Sequence, residues 1–187
     1  SQILETLLPF VEAMRRASGI DEFQAWTCVL YALSTYHDFD PRPILAVIGP
    51  TGTGKSDLVR QLVKMMSAQI LTGKVSHAVL RDHMNGRPII LIDEGDHADE
   101  ELLVYRSSRQ TGAFVHKKES SSGGYQEVTS NIFGYTVINR RFPFSDAAAR
   151  NRSIVIKTRR NPGKYAATDV PRELFKNVAR AIRPSTL

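Results

Sequence analysis

The segment Gly49-Pro50-Thr51-Gly52-Thr53-Gly54-Lys55-Ser56 constrains this chain more than any other feature, because it follows directly on the apolar run 44–48. Glycines at this spacing let a tight loop turn its backbone N–H groups inward at the start of a helix. Such a loop surrounds a phosphate group, and the positive end of the helix dipole favours the anion. The pattern therefore predicts a strand, a phosphate-binding loop and a helix in succession.

The positions of this loop have different predicted roles. Thr51, Gly52 and Gly54 would act mainly through their backbone N–H groups. Lys55 would reach the β- and γ-phosphates of a nucleoside triphosphate, and Ser56 would offer its hydroxyl to Mg²⁺.

Two carboxylates follow a second apolar run, Pro88 to Ile92, which is typical of a buried strand. Asp93 would lie at the strand end beside the phosphate-binding loop and hold the metal, directly or through water. Glu94 would orient and deprotonate the water that attacks the γ-phosphate. This pair favours hydrolysis over phosphoryl transfer to a small molecule.

Composition sets the broad class of protein. The 187 residues fit one domain with a sizeable core. The single cysteine, Cys28, has no partner for an internal disulfide, and the five histidines lack metal-ligand spacing, so we expect a reducing setting and no structural zinc. No apolar stretch approaches the roughly 18 residues of a membrane span. We expect a soluble, cytoplasmic protein.

Charge is distributed unevenly along the chain. Residues 1–100 carry 9 basic and 13 acidic side chains, a net charge of −4, whereas residues 101–187 carry 16 and 6, a net charge of +10. This asymmetry favours a polyanionic partner for the second half. A solvated basic face would give the same count.

Hydrophobic periodicity and capping signals predict alternating helices and strands, hence a parallel α/β sheet. The predicted helices cover 3–17, 21–36, 55–67, 76–84, 98–109 and part of 169–187. The predicted strands cover 44–48, 69–71, 88–92, 133–138 and 153–157. Two further strand-like runs around a Gly/Ser turn predict a β-hairpin at about 112–130.

This order of motifs resembles the AAA+ ATPases over about residues 25–160. The shared features are the phosphate-binding loop, Asp93-Glu94, a strand that leads to Asn139, and arginines just before a final strand. The hairpin ahead of the Asn139 strand is similar to that of the superfamily 3 and minichromosome-maintenance helicases. Ile92-Asp93-Glu94, the segment 112–118 and Arg152-Ser153-Ile154-Val155-Ile156 resemble the ATPase domains fused to primases in phages and mobile elements.

The resemblance implies ATP and Mg²⁺ as ligands and further site residues. Asn139 would be the first sensor, which holds the attacking water through its amide. Arg152, or alternatively Arg150, would be an arginine finger that reaches the neighbouring subunit's nucleotide. A finger supplied in trans implies a homo-oligomer, most simply a ring of about six subunits.

The hairpin would contact DNA, most simply a single strand. Its residues His116, Lys117 and Lys118 resemble the pore-loop residues with which helicases of this clade grip a nucleic acid. Cations there would neutralise backbone phosphates without reading the base sequence. Phe114 and Tyr125 are candidates for an aromatic partner in the pore.

The sequence departs from the family at its C-terminal end, where only a partial lid remains. The second sensor arginine is therefore open among Arg172, Arg180 and Arg183. We expect helices over 1–40, the ATPase core over 41–160 and a helical segment over 161–187. The resulting hypothesis is an ATPase that moves along or unwinds DNA in replication. Two alternatives are an ATP-dependent assembly switch on DNA, such as a loader or transposition regulator, and a protein-remodelling ATPase.

Overall fold

The computed structural model describes residues 2–72, 75–160 and 171–182. Within these residues the helices are α1 (Gln2–Ala17), α2 (Glu22–Ser34), α3 (Lys55–Met66), α4 (His77–Met84), α5 (Glu100–Arg106), α6 (Arg109–Gly112), α7 (Ala147–Asn151) and α8 (Arg172–Ala181). The strands are β1 (Ile44–Ile48), β2 (Gln69–Thr72), β3 (Ile89–Asp93), β4 (Ala113–Glu119), β5 (Tyr125–Asn131), β6 (Tyr135–Arg140) and β7 (Ser153–Lys157).

Five strands form a parallel sheet in the order β2-β3-β6-β1-β7. Strand β1 lies between β6 and β7, and all five of its residues are buried. A strand that is buried on both faces is apolar at every position, as the sequence of β1 is. The predicted α/β fold with a parallel sheet is confirmed.

Helices cover both faces of this sheet. Helices α1, α2, α3 and α8 pack with Leu45, Val47 and Val137 on one face. Helices α4, α5 and α7 pack with Ile44, Ala46 and Ile138 on the other. The predicted N-terminal helices thus share a core with α3, and Cys28 is buried among them. No helix in the described ranges is both long and apolar enough to cross a lipid bilayer.

Two predicted boundaries differ from the structure. The helix expected over 98–109 is divided into α5 and α6, because Ser107 ends α5 by donating its hydroxyl to the carbonyl oxygen of Val104 at 2.6 Å. The strand expected over 133–138 begins at Tyr135 and continues to Arg140, which pairs with Ile48. Asn139 therefore lies within the strand rather than after it.

The chain passes from β5 into β6 around Arg106, a fully buried residue that the sequence did not single out. Its guanidinium donates to the carbonyl oxygens of Ile132 at 2.6 Å, Arg87 at 2.8 Å and Tyr135 at 3.0 Å. Burial lowers its pKa to about 9, so the group stays charged at neutral pH. Gly134 is required beside it, because a Cβ there would lie 2.6 Å from Arg106 Nη2. This network fixes where β6 begins.

Candidate active site

The carboxyl ends of β1, β3 and β6 meet at one edge of the sheet, where a cavity of about 690 Å³ opens. Parallel α/β sheets bind their ligands at this edge. The residues lining the cavity come from the phosphate-binding loop and α3, from the turn after β3 and from the end of β6; they are Thr51, Gly52, Gly54, Lys55, Ser56, Asp57, Glu94, Asp96, His97, Asn139 and Arg141.

The backbone of the loop has the shape that its glycines predict. Gly52 and Gly54 have φ angles of 80° and 82°, in the left-handed region that only glycine adopts without strain. Gly54 is also crowded, because a Cβ there would lie 2.7 Å from the carbonyl oxygen of Ala17. Gly49 has no room for a Cβ against Thr158. The loop is therefore packed from behind by the α1–α2 connection and by the residue after β7.

Two hydroxyls that the sequence did not single out hold the loop in place. Ser18 donates to the carbonyl oxygen of Thr53 at 3.0 Å. Thr158 shares a hydrogen bond of 2.7 Å with the Thr53 hydroxyl, which also donates to the carbonyl oxygen of Pro50 at 2.8 Å. Thr53 thus acts inside the loop, away from the cavity. No local motif marks Ser18 or Thr158, because both contacts depend on tertiary packing.

Lys55 lies folded back onto its own loop. Its ammonium donates to the carbonyl oxygens of Gly49 at 2.6 Å and Pro50 at 2.7 Å, and the residue is 9% exposed. Burial lowers the pKa of Lys55, while the negative charges of Asp96 and Asp93 oppose that shift. The carbonyl oxygens compensate only with partial charges, so an incoming phosphate oxygen is a stronger partner for this ammonium.

Asn139 links the two predicted catalytic carboxylates. Its amide nitrogen donates a short hydrogen bond to Asp93 Oδ1, and its Oδ1 accepts from the backbone N–H of Glu94 at 3.0 Å. The backbone donor fixes the orientation of the amide, since only the oxygen can accept. One amide hydrogen and one lone pair of Asn139 remain for other partners. Its contact with the attacking water stays a prediction.

Glu94 has an unusual backbone conformation, with φ 55° and ψ 44°. A non-glycine residue in this left-handed region is strained by about 1–2 kcal/mol. The strain turns the chain away from β3 and leaves the Glu94 side chain exposed at the cavity. Asn139 holds the strained N–H, so the same side chain positions both Asp93 and Glu94.

The cavity also contains an ion pair that the sequence did not predict. Arg141 donates to both carboxylate oxygens of Asp96 at 2.8 Å, once from its backbone N–H and once from Nε. Burial opposes ionisation of Asp96, but these hydrogen bonds outweigh it and lower the pKa of the carboxyl group. Asp96 lies two positions after Glu94, and Arg141 lies two positions after Asn139. This closeness to predicted site residues was the only sign in the sequence that could have identified the pair.

The loop after β6 is anchored by Glu100. Its carboxylate accepts from Arg140 Nη2 at 2.9 Å, from the backbone N–H of Asp146 at 2.7 Å, and from the Ser145 hydroxyl and N–H. Arg140 is buried and stacks on the Phe144 ring, 4.3 Å from its centroid. The position of Arg141 is therefore set on both sides, by β6 and by this anchored loop.

Arg152, the first candidate for the finger, lies at the opposite edge of the sheet. The carbonyl oxygen of Arg152 accepts from the N–H of Ile44, at the beginning of β1, whereas the phosphate-binding loop follows the end of β1. A five-residue strand spans about 16 Å, so Arg152 cannot reach the cavity of its own chain. Its Nη1 donates to the carbonyl oxygen of Val104 and to Ser107 Oγ, both at 3.2 Å, while Arg150 donates to the carbonyl oxygens of Phe144 and Ser145.

The three predicted hairpin residues do not share one face. Phe114 and His116 are partly buried, and His116 shares a 2.7 Å hydrogen bond with Ser130 of β5. Lys118 is on the same side and donates to Asp82 of α4 at 3.2 Å. Lys117 points the opposite way, because side chains alternate along a strand. That outward face also carries Val115 and Tyr125 and two carboxylates, Glu119 and Glu127.

The second-sensor candidates lie away from the cavity where the structure describes them. Arg172 contacts Ser67 at the end of α3, about 18 Å along that helix from the phosphate-binding loop. Arg180 acts electrostatically on Tyr36, whose hydroxyl donates to the carbonyl oxygen of Met65 near the same end. Arg183 lies outside the described residues.

The residues around the cavity suit Mg²⁺ as part of a nucleotide complex. Among the described side chains, no group of three or more His, Cys, Asp or Glu is arranged to hold a metal alone. Mg²⁺ commonly takes one or two protein oxygens and completes its shell with phosphate oxygens and water. Ser56 lines the cavity, and one oxygen of Asp93 is not used by Asn139.

Comparisons with known proteins give likenesses in structure. No protein-family model matches the chain, and no curated protein matches its sequence. A mutant of RuvB from Thermotoga maritima superposes with a TM-score of 0.50 at 14% identity, over 74% of this chain and 44% of that one. JCV helicase, bound to an acetamide compound, gives 0.51 at 13% identity, over 85% and 46%. The C-terminal region of NrS-1 gives 0.49 at 15% identity, over 96% and 43%.

The chain therefore spans less than half the length of each of these solved chains. At such low identities, the likenesses to RuvB and to JCV helicase show the fold alone. It is an α/β fold built on a parallel five-stranded sheet.

The strain at Glu94 predicts that glycine is more stabilising than alanine at this position, the opposite of their order within a helix. Glu94→Gly should be more stable than Glu94→Ala by about 1 kcal/mol, because glycine adopts the left-handed conformation without a Cβ penalty. Denaturant unfolding of the two variants measures this difference. Glu101, within helix α5, provides the control: Glu101→Gly should be less stable than Glu101→Ala by about 1 kcal/mol. Equal stability of the two Glu94 variants would show that the left-handed conformation costs nothing.

Proposed function

We propose that this chain is an ATPase of the AAA+ type that acts as a homo-oligomeric ring of about six subunits. It couples ATP hydrolysis to movement along DNA or to its unwinding. Replication of a phage or mobile element is the setting that the sequence resemblance favours. The observation that carries the ATPase proposal is that Lys55, Ser56, Glu94 and Asn139 line the same cavity.

The geometry supports a division of labour during hydrolysis. Lys55 exchanges the carbonyl oxygens of its loop for the β- and γ-phosphates. Ser56 and Asp93 would hold Mg²⁺, which would neutralise charge on the phosphate oxygens. Glu94 accepts the proton of the attacking water, and Asn139 keeps Glu94 in place through its backbone N–H.

Two variants test the ATPase proposal. Lys55→Ala should lower ATP affinity by about tenfold or more, because charge-assisted hydrogen bonds to the phosphates are lost. Glu94→Gln should bind ATP normally but hydrolyse it roughly 10² to 10⁴ times more slowly, because an amide cannot accept the proton. Isothermal titration and phosphate release measure the two effects.

The matched control is Lys64→Ala, which removes a lysine of α3 that does not line the cavity. It should leave ATP affinity unchanged. If Lys55→Ala bound ATP as tightly as the unaltered chain, the assignment of the phosphate-binding loop would be wrong.

The net charge of +10 over residues 101–187 supports DNA as the polymer along which the ring moves. Of the predicted hairpin cations, Lys117 is the one on the outward face, while Lys118 is paired with Asp82. The exposed aromatic ring of Tyr125 on the same face can stack on a base, as aromatic side chains do in proteins that bind single strands. Lys117 is therefore the proposed phosphate contact.

One observation favours the protein-remodelling alternative. On the outward face of the hairpin, Val115 is 60% exposed and Tyr125 is 77% exposed, beside the carboxylates of Glu119 and Glu127. An aromatic and apolar surface of this kind also suits an unfolded polypeptide, and the two carboxylates weaken attraction to phosphates. The choice between DNA and protein depends on which polymer stimulates the ATPase.

A substitution in the hairpin distinguishes DNA from an unfolded polypeptide as the partner. Lys117→Ala should weaken binding to single-stranded DNA equally for all sequences and reduce the salt dependence by about one phosphate contact. Lys118→Ala is the control and should have a smaller effect, because that ammonium already has Asp82 as its partner. Fluorescence anisotropy at several salt concentrations measures both. A salt slope unchanged by Lys117→Ala, with an ATPase that DNA does not stimulate, would favour the remodelling alternative.

The position of Arg152 generates the test for a ring. Because it lies at the edge of the sheet opposite its own cavity, it can serve catalysis only at a neighbouring subunit's nucleotide. Arg152→Ala should keep ATP binding and lose about 10³-fold or more in hydrolysis. Mixing it with Lys55→Ala should restore some activity, because a Lys55→Ala subunit lends its Arg152 to an intact phosphate-binding loop next door.

The same mixing experiment with Arg150→Ala tests the alternative finger, whose guanidinium donates to the carbonyl oxygens of Phe144 and Ser145. Native mass spectrometry shows whether mixed oligomers form. Mixed oligomers without recovered hydrolysis would rule out Arg152 as a finger in trans.

A further inference from the structure

The cavity contains a guanidinium that the proposed mechanism does not use. Arg141 lines the cavity together with Lys55 and Glu94, and its side chain is 55% exposed. It follows β6 directly, and the carbonyl oxygen of Arg140 before it accepts from the N–H of Gly49, the first residue of the phosphate-binding loop. Arg141 is thus placed next to the loop by the backbone of the sheet.

The partner of Arg141 is Asp96, which also influences Lys55. Among the carboxylates that act electrostatically on the Lys55 ammonium, Asp96 has a larger effect than Asp93. Arg141 acts on the same ammonium with the opposite sign. The Asp96–Arg141 pair is therefore close enough to the phosphate-binding loop to interact with charge that arrives there.

The charges lining the cavity do not favour a polyphosphate in this arrangement. Two cations, Lys55 and Arg141, face three carboxylates, Asp57, Glu94 and Asp96. The charge of Arg141 is largely neutralised by Asp96, with which its backbone N–H and its Nε each form a 2.8 Å hydrogen bond. The two terminal nitrogens of the Arg141 guanidinium, Nη1 and Nη2, have N–H groups that can donate to a phosphate oxygen.

We propose that Arg141 binds the γ-phosphate of ATP and otherwise remains bound to Asp96. The exchange of Arg141 from this carboxylate to the phosphate then distinguishes ATP from ADP. This inference rests on the proposed ATP binding and names a further residue of the same site. A γ-phosphate carries more charge than a carboxylate and accepts the same forked hydrogen bonds, so it competes for the guanidinium. ADP lacks that group, and Arg141 then stays with Asp96.

The exchange of Arg141 also changes a contact between the end of β6 and the turn after β3. Asp96 lies in the short 3₁₀ turn Gly95–His97 directly after Glu94, and Gly95 packs against Ile138 and Ile92 without room for a Cβ. While Arg141 is bound to Asp96, this turn is tied to the end of β6. Release of the guanidinium breaks only the bond from Nε. The turn then stays linked to β6 through the backbone N–H of Arg141, which donates to Asp96, and through Asn139, which contacts Asp93 and Glu94. The nucleotide state is thereby connected to the turn that carries Glu94.

The test is a double-mutant cycle on nucleotide preference. Affinities for ADP and for the non-hydrolysable ATP analogue adenylyl imidodiphosphate, each with Mg²⁺, are measured by isothermal titration. Arg141→Gln should lower the affinity for the analogue by about tenfold or more and leave that for ADP within about twofold. Arg141→Lys, which keeps the charge but loses the fork, should fall between Arg141→Gln and the unaltered chain.

Asp96→Asn should shift the preference the other way, because it removes the competitor for Arg141. In the otherwise unaltered chain, the affinity for the analogue relative to ADP should rise by a few fold. In the Arg141→Gln background the rise should be clearly smaller, because only the repulsion between the carboxylate and the phosphate is then removed. Arg15→Gln and Glu12→Gln are matched controls, since they break an exposed ion pair of 3.0 Å on α1 and should leave both affinities unchanged.

The outcomes separate this inference from the ATPase proposal. If Lys55→Ala loses nucleotide binding but Arg141→Gln keeps the preference of the unaltered chain, the inference is wrong and the ATPase proposal stands. Equal losses for ADP and the analogue in Arg141→Gln would also overturn it, as would an Asp96→Asn effect that is equally large without Arg141. If the unaltered chain binds neither nucleotide, both proposals fail together.

Discussion

The parallel pairing of β1 with β6 and β7 is the constraint on which the site depends. The pairing continues past the ends of the strands: the N–H of Gly49 donates to the carbonyl oxygen of Arg140, and the N–H of Thr158 donates to that of Ile48. The phosphate-binding loop is thus held by both neighbouring strands before any ligand arrives. Because carboxyl ends of parallel strands lie at one edge, the same pairing brings Glu94 and Asn139 to the loop.

Nearly every charge around the cavity has a partner within the protein. Lys55 lies on two carbonyl oxygens, Asn139 binds Asp93, and Arg141 binds Asp96. Unpaired charges in a partly buried site are costly, so these contacts stabilise the site. Under the proposed function, a nucleotide would bind by exchange, with phosphate oxygens replacing protein oxygens around the same cations. Differences in charge between nucleotides would then become differences in which internal contacts are kept.

The surfaces that would face other molecules lie away from this cavity. Arg152 is at the opposite edge of the sheet, and Lys117 is on the outward face of a hairpin whose other face packs on the domain. The buried guanidinium of Arg106 fixes the connection between that hairpin and β6. A contact on the hairpin is therefore linked through a rigid junction to the strand that carries Asn139 and Arg141.

The sequence by itself determined the sheet, the loop and the hairpin, because each depends on local signals: apolar runs, glycine spacing, capping residues and a Gly/Ser turn. It also placed Lys55 and Ser56 at the start of the helix after β1, and Glu94 and Asn139 near the carboxyl ends of two further strands, and the topology brings all four to one cavity. Only the tertiary structure decided the partners of these residues. Ser18 and Thr158 behind the loop, and Asp96 with Arg141 beside it, meet through packing between segments distant in the chain, which no local pattern encodes. Alternation along the strand divides His116 and Lys118 from Lys117, but only the assembled core decided which of the two faces packs on α4.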